Sequence, residues 1–139
     1  MATRAQVVAE ARKWLGTPFQ HQGRRRGLGV DCVGLVLCIM YDLGINDWLD
    51  DFRVYSSQPV GHEVFDVCME RLNAKPVEQR QPGDVLCFRV PESPSHVGMV
   101  TDAGIIHAYN GGRRQVVEHG LDSKWLKRVA GCFSIPGVE

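Results

Sequence analysis

An excess of either charge is missing from this chain: its 139 residues carry 16 Lys and Arg against 16 Asp and Glu. That balance removes the general electrostatic case for binding nucleic acid or an anionic membrane surface. Long apolar runs are also missing. None reaches the ~20 residues of a membrane-spanning helix, so no membrane insertion is expected. Arg4, Glu10, Arg12 and Lys13 interrupt the first turns, unlike the apolar stretch of a secretory leader. Synthesis in the cytoplasm is therefore expected. Paired cysteines are lacking as well. Cys32, Cys38, Cys68, Cys87 and Cys132 form an odd set with no CxxC pair, which fits free thiols in a reducing compartment better than a disulfide framework. No internal repeat, low-complexity tract or linker divides the chain, and a single domain over residues 1–139 is expected.

The first half reads as helical. Thr3 is placed to cap a helix, with Gln6 in the reciprocal position. Val7, Val8, Ala11, Trp14 and Leu15 give it an apolar stripe, and Gly16-Thr17-Pro18 ends it. Residues 19–31 read as a glycine-rich loop. A second helix is expected from Asp31 or Cys32 to Gly44, with Val33, Val36, Leu37, Met40 and Tyr41 on its core face. A third is expected over Glu63–Leu72. Between them lies an irregular stretch, Ile45–Gly61, pinned to the core by Trp48, Phe52 and Tyr55. The period then changes. Val85–Val90, His96–Thr101, Ile105–Tyr109, Gln115–Glu118 and Val129–Ile135 read as short strands joined by tight turns. Helices first and a small antiparallel sheet second is an α+β arrangement.

Cys32 lies where the loop becomes the second helix. A helix N-terminus offers unpaired N–H groups and the positive end of a dipole, both of which favour a thiolate. His96 follows Pro91-Glu92-Ser93-Pro94-Ser95, read as a loop, at the entrance of a strand. His107 lies on the next strand, so the turn at Asp102-Ala103-Gly104 brings the two rings together. Cys32 as nucleophile, His96 as base and His107 as orienter is the chemistry this set supports. Taken singly, Cys32 reads as a buried helix cysteine, His96 as a strand-end histidine and His107 as a satisfied core histidine. Zinc is the chemical rival, but no second ligand lies close to Cys32, and neither metal nor cofactor is expected. Asp31 caps the helix or fixes the loop. His62 and His119 read as surface residues. Arg24, Arg25 and Arg26, backed by Arg4, Arg12 and Lys13, read as a solvated loop tip or as contacts for an anionic ligand.

The motifs carry a resemblance over nearly the whole chain. Leu15-Gly16-Thr17-Pro18-Phe19, Gly29-Val30-Asp31-Cys32-Val33-Gly34-Leu35-Val36, Gln81-Pro82-Gly83-Asp84-Val85, His96-Val97-Gly98-Met99-Val100 and Ile106-His107-Ala108 resemble, in order, the signatures of the NlpC family of papain-like cell-wall cysteine peptidases. They are most like its small form associated with phage or gene-transfer-particle tails. The resemblance implies a papain-like fold, with Cys32 as nucleophile, His96 as base and His107 as third member. It implies a peptidoglycan stem peptide as substrate, often cut between D-glutamate and a diamino acid. It also implies partners at a tail tip or hub, in a particle acting on the periplasmic wall. Phe19 stands where the family has a tyrosine whose hydroxyl helps hold the oxyanion, and His21, matched in the phage-like members, is the substitute donor. Val33 stands where a serine is usual. Two alternatives accompany this reading: a tail-structural protein with little hydrolysis, and an amidase or thioesterase for another acyl group.

Overall fold

Two side-chain caps set where the helices begin. In the computed structural model, which describes residues 1–46, 66, 69–90 and 93–139, the Thr3 hydroxyl accepts from the Gln6 N–H and the Gln6 side chain accepts from the Thr3 N–H. This reciprocal box opens helix α1, Arg4–Arg12. Val7, Val8, Ala11 and Trp14 are buried, whereas Leu15 is exposed beyond the helix end. Helix α2, Cys32–Asp42, is capped by Asp31, whose carboxylate accepts from the Gly34 N–H at 2.8 Å. Residues Val33 through Met40 are all buried, so α2 is the apolar spine of the domain and not a one-faced surface helix. Tyr41, expected on its core face, is exposed.

The loop between the helices is more ordered than its glycines imply. Strands β1, Arg24–Arg25, and β2, Gly29–Val30, pair antiparallel within it. Asp31 ties this hairpin to α2. Its carboxylate also accepts from the Gln22 N–H at 2.8 Å and from Arg24 Nη1 at 3.0 Å. Gly34 makes the junction fit, because a Cβ there would stand 2.5 Å from Arg24 Nη1 and 2.7 Å from the Gly23 carbonyl oxygen.

The second half is a six-stranded antiparallel sheet in the order β3-β8-β4-β5-β6-β7. Its strands are β3 Lys75–Pro76, β4 Val85–Val90, β5 Ser93–Thr101, β6 Gly104–Tyr109, β7 Gln115–His119 and β8 Val129–Ser134. Four of the five expected strands lie within a residue of their predicted bounds. The β5 strand starts three residues early. Ser93 pairs with Val90 across a register shift, so 93–95 continue the strand and are not a loop. The β3 strand and a one-turn helix α3, Ser123–Leu126, were not expected. Residues 66 and 69–71 are helical, in keeping with part of the third helix. Trp48, Phe52, Tyr55, His62 and Cys68 lie outside the described residues.

The sheet has two buried faces. Cys87, Val97, Met99, Ile106 and Ala108 join α1 and α2 in the main core. Phe88, Val100, Ile105 and Trp125 form a second cluster on the other face. Gly16, Thr17 and Phe19 hydrogen-bond along residues 114–116, while Pro18 and Gln20 hydrogen-bond to Val30. The opening motif thus spans from β7 to the strand that feeds α2. The basic residues expected to back the arginine loop are occupied elsewhere. Arg4 pairs with Asp84, Arg12 with Asp102 and Glu118, and Lys13 with Glu10.

Replacing Asp31 with Ala removes the α2 cap and leaves the buried Arg24 guanidinium without its carboxylate, a combination expected to cost about 3 kcal/mol. Urea unfolding checks this. The midpoint of Asp31→Ala drops with an unchanged slope, and Asp31→Asn, which keeps a capping oxygen, retains part of the loss.

Candidate active site

On the second face of the sheet, side chains of alternate residues on β5, β6 and β7 meet. His96 and Gly98 come from β5, His107 and Tyr109 from β6, and His119 from β7. His96 Nε2 lies 2.6 Å from His107 Nδ1. His107 Nε2 lies in turn 2.8 Å from His119 Nε2, and His119 Nδ1 lies 2.8 Å from the Gly120 carbonyl oxygen. Three rings therefore form one continuous hydrogen-bonded row. His96 and His107 are buried and His119 is half-buried. Gly98 makes the His96–His107 approach feasible. A Cβ there would stand 2.6 Å from Ile105 Cδ1 and 3.0 Å from His107 Cβ.

Aromatic rings close this row off. Phe88 lies 6.0 Å from His96, and Tyr109 stacks on His107 at 5.2 Å with only 19° between the planes. Trp125 meets His107 edge-on at 5.0 Å. The Asp122 carboxylate caps α3 at the Trp125 N–H, and Arg128 lies 4.9 Å over the Trp125 ring.

Cys32 reaches this region from the helical side. Helix α2 packs against β5 and β6, and the Cys32 sulfur takes a hydrogen bond from the N–H of Val97, the residue after His96. The β5–β6 pairing runs from Thr101–Gly104 only as far as Met99–Ile106. The thiol is therefore docked on β5 just past the point where the ladder ends. The structure thus brings the histidine pair into direct contact and sets the thiol against the same strand.

The electrostatics differ from the sequence expectation. The thiol is not activated at rest. Burial, followed by the charge of Asp31, pushes Cys32 up to about 12, and N–H bonds from Val97, Val33 and its own backbone only partly oppose this. Burial pushes His96 down to about 3, helped by the positive Arg128, and pushes His107 down to about 2. The resting site holds neutral rings and a neutral thiol.

Other expected residues take different places. Arg24 is not a free anion contact. Its side chain is 4% exposed and is engaged by Asp31 and the Gly23 carbonyl. Arg25 and Arg26 are exposed, and Arg26 joins Trp14, Lys13 and Asp42 around a cavity of about 440 Å³. Asp31 caps and braces. Phe19 is half-buried and bridges to Val30, and His21 occupies the turn whose next N–H is held by Asp31. His119 is the residue that sequence reasoning misplaced. It stands opposite Ile105 in the β6–β7 register and diagonal to His107, a relation visible only once the length of the Asn110–Arg114 connection fixes that register. Among the described residues no group of His, Cys, Asp and Glu is placed to hold a metal ion.

A model of the NlpC/P60 family matches residues 16–132. The chain belongs to the NlpC/P60 family. Its papain-like α+β fold is shared with the NlpC/p60 domain of the peptidoglycan hydrolase SagA, at 25% identity and a TM-score of 0.60, covering 95% of this chain and 98% of that one. An NlpC/P60 family protein of Bacillus cereus ATCC 10987 superposes with a TM-score of 0.62 at 24% identity over 93% of this chain. A Staphylococcus aureus Mu50 protein described as similar to a lipoprotein of the NLP/P60 family gives 0.61 at 18% over 95%. This chain spans only 39% and 41% of those two proteins. No curated protein matches the chain.

The lowered histidine pKa values carry a sign. In the unfolded chain both rings ionise near about 6.5, whereas in the fold they stay neutral to about 3 and about 2. The unfolded state then binds more protons between those limits. Stability therefore falls as pH drops from about 6.5 toward 3, because the unfolded chain protonates both rings and the fold does not. Urea titrations across pH 7 to 4 are expected to show this slope, and His107→Gln to flatten it. Cys32 alkylation by iodoacetamide is expected to rise through pH 9 without an earlier plateau. A plateau below pH 7 would reveal a thiolate–imidazolium pair at rest.

Proposed function

We propose that this chain is a cysteine peptidase that hydrolyses peptidoglycan stem peptides. The observation that carries the reading is the 2.6 Å His96–His107 contact on the strand against which the Cys32 thiol is docked, within an NlpC/P60 fold. The likeness to a domain of a peptidoglycan hydrolase supports the substrate class.

Because thiol and rings are neutral at rest, the reaction starts by general-base catalysis. His96 Nδ1 takes the Cys32 proton as the sulfur attacks the scissile carbonyl. His107 holds His96 through Nε2 and keeps its Nδ1 directed at the reacting sulfur. The Cys32 N–H, at the open first turn of α2, holds the oxyanion with His21 as second donor. His96 returns its proton to the leaving amine, then deprotonates a water that hydrolyses the thioester. Arg25 and Arg26 are exposed and attract the carboxylates of the stem peptide.

The scissile bond lies between D-glutamate and a diamino acid. The peptidase is carried by a phage-like tail, made in the cytoplasm and delivered to the periplasmic wall with tail-tip or hub proteins as partners. That finer assignment is supported by the Leu15–Phe19 motif followed by His21. Phe19 favours a second reading, a tail-structural protein of weak activity, since it keeps the ring of the family tyrosine and lacks its hydroxyl.

Purified sacculi and defined stem peptides, with products identified by mass spectrometry, test the proposal. Wild type is expected to release one peptide pair, and Cys32→Ala none while remaining folded. No product from wild type with a titratable thiol rejects the peptidase reading in favour of the structural one. Phe19→Tyr restores an oxyanion donor and is expected to raise kcat by up to about 100-fold, equivalent to ~3 kcal/mol. An unchanged kcat assigns that task to His21, and His21→Ala then abolishes turnover.

A further inference from the structure

The reaction above uses His96 and His107 and leaves His119 without a task, although its ring closes the row. We infer that His119 is a positioning residue: through it and His107, the Gly120 carbonyl fixes the tautomer of His96 and leaves its Nδ1 lone pair open to accept a proton. This rests on the reading of Cys32 and His96 as the reacting pair.

The argument follows from donor and acceptor identities. A carbonyl oxygen only accepts. The 2.8 Å contact from His119 Nδ1 to the Gly120 oxygen therefore places a proton on that nitrogen. In a neutral ring the other nitrogen then only accepts, so His119 Nε2 accepts across 2.8 Å from His107 Nε2. His107 Nδ1 is left as an acceptor, and it accepts across 2.6 Å from His96 Nε2. Among the described residues, His96 Nδ1 is then the one nitrogen of the row whose lone pair takes no bond within it. Reversing every bond would set a His119 lone pair against the Gly120 lone pairs. It would also move a proton onto His96 Nδ1, where the ring cannot take one from sulfur.

Burial keeps His96 and His107 neutral, and the polarity of the row depends on that. Phe88 packs from β4, Tyr109 from β6 and Trp125 from α3, and Arg128 after α3 opposes a positive charge on His96. Among the described residues, the ionisable groups that face one another here are the three rings, Tyr109 and Arg128, and Cys32 approaches from the α2 side. The β7 backbone that carries His119 is also held firmly. Glu118 receives Arg12 at 2.9 Å and the Thr101 hydroxyl at 2.7 Å.

Nitrogen-15 NMR of imidazole-labelled protein reads each tautomer directly and needs no substrate. In wild type, His96 and His107 are expected as Nε2–H and His119 as Nδ1–H. His119→Phe keeps a ring against Trp125 but removes the acceptor. His96 is then expected to populate Nδ1–H, with Cys32 alkylation at pH 7 and kcat each falling about tenfold and KM unchanged. His119→Gln, which offers an oxygen to His107 and an N–H to Gly120, is expected to restore all three. A wild-type His96 protonated on Nδ1 overturns the inference, and so does a folded His119→Phe with the wild-type tautomers and alkylation rate. If the wild type shows the expected tautomers yet cleaves no peptide, the inference stands and the peptidase reading falls. If it cleaves peptide with the tautomers reversed, the reverse holds.

Discussion

The Asp31 carboxylate is the constraint on which the placement of Cys32 depends. One buried side chain accepts from the first turn of α2, from the Gln22 N–H and from the Arg24 guanidinium. It fixes the helix start, the turn beside it and the hairpin in one step. Gly34 lets the three approach, since any side chain there would push Arg24 off the helix. Cys32 follows Asp31 directly, so the direction of its sulfur is set by that cap. The arrangement has an electrostatic cost. The anion that organises the helix end lies next to the thiol and helps to raise its pKa, so the helix N-terminus positions Cys32 without making it a thiolate.

Burial governs the other half of the site. His96 and His107 stand in an apolar layer of Phe88, Tyr109 and Trp125, where a neutral ring is far more favourable than a charged one. The aromatic layer keeps water from competing for the ring nitrogens, and low polarity strengthens each hydrogen bond in the row.

Features with local causes were legible in the sequence. The Thr3–Gln6 box, the Asp31 cap and the bounds of β4 and β6 each arise from neighbours within a few residues, and each lies within a residue of its reading. The pairing of His96 with His107 was legible because one tight turn joins their strands. His119 was not, because its partner lies diagonally across a longer connection. The raised pKa of Cys32 was not legible, because desolvation depends on how the fold packs around the sulfur. Arg24 read as solvated because a run of three arginines carries no sign that its first member turns inward to Asp31. The β3 strand and α3 were too short for any period to register.

The way the opening motif lies along β7 has a colloidal consequence. A sheet ends in margins, and a bare margin invites a strand from another chain. Here the start of the β7 margin is taken by residues 16–19, which hydrogen-bond along residues 114–116. The opposite margin, β3, is two residues long and ends in Pro76, which has no donor to offer. The segment that carries Phe19 toward Cys32 therefore also shields the sheet from edge-to-edge association, and a change that loosens it would expose a template for aggregation as well as disturb the site.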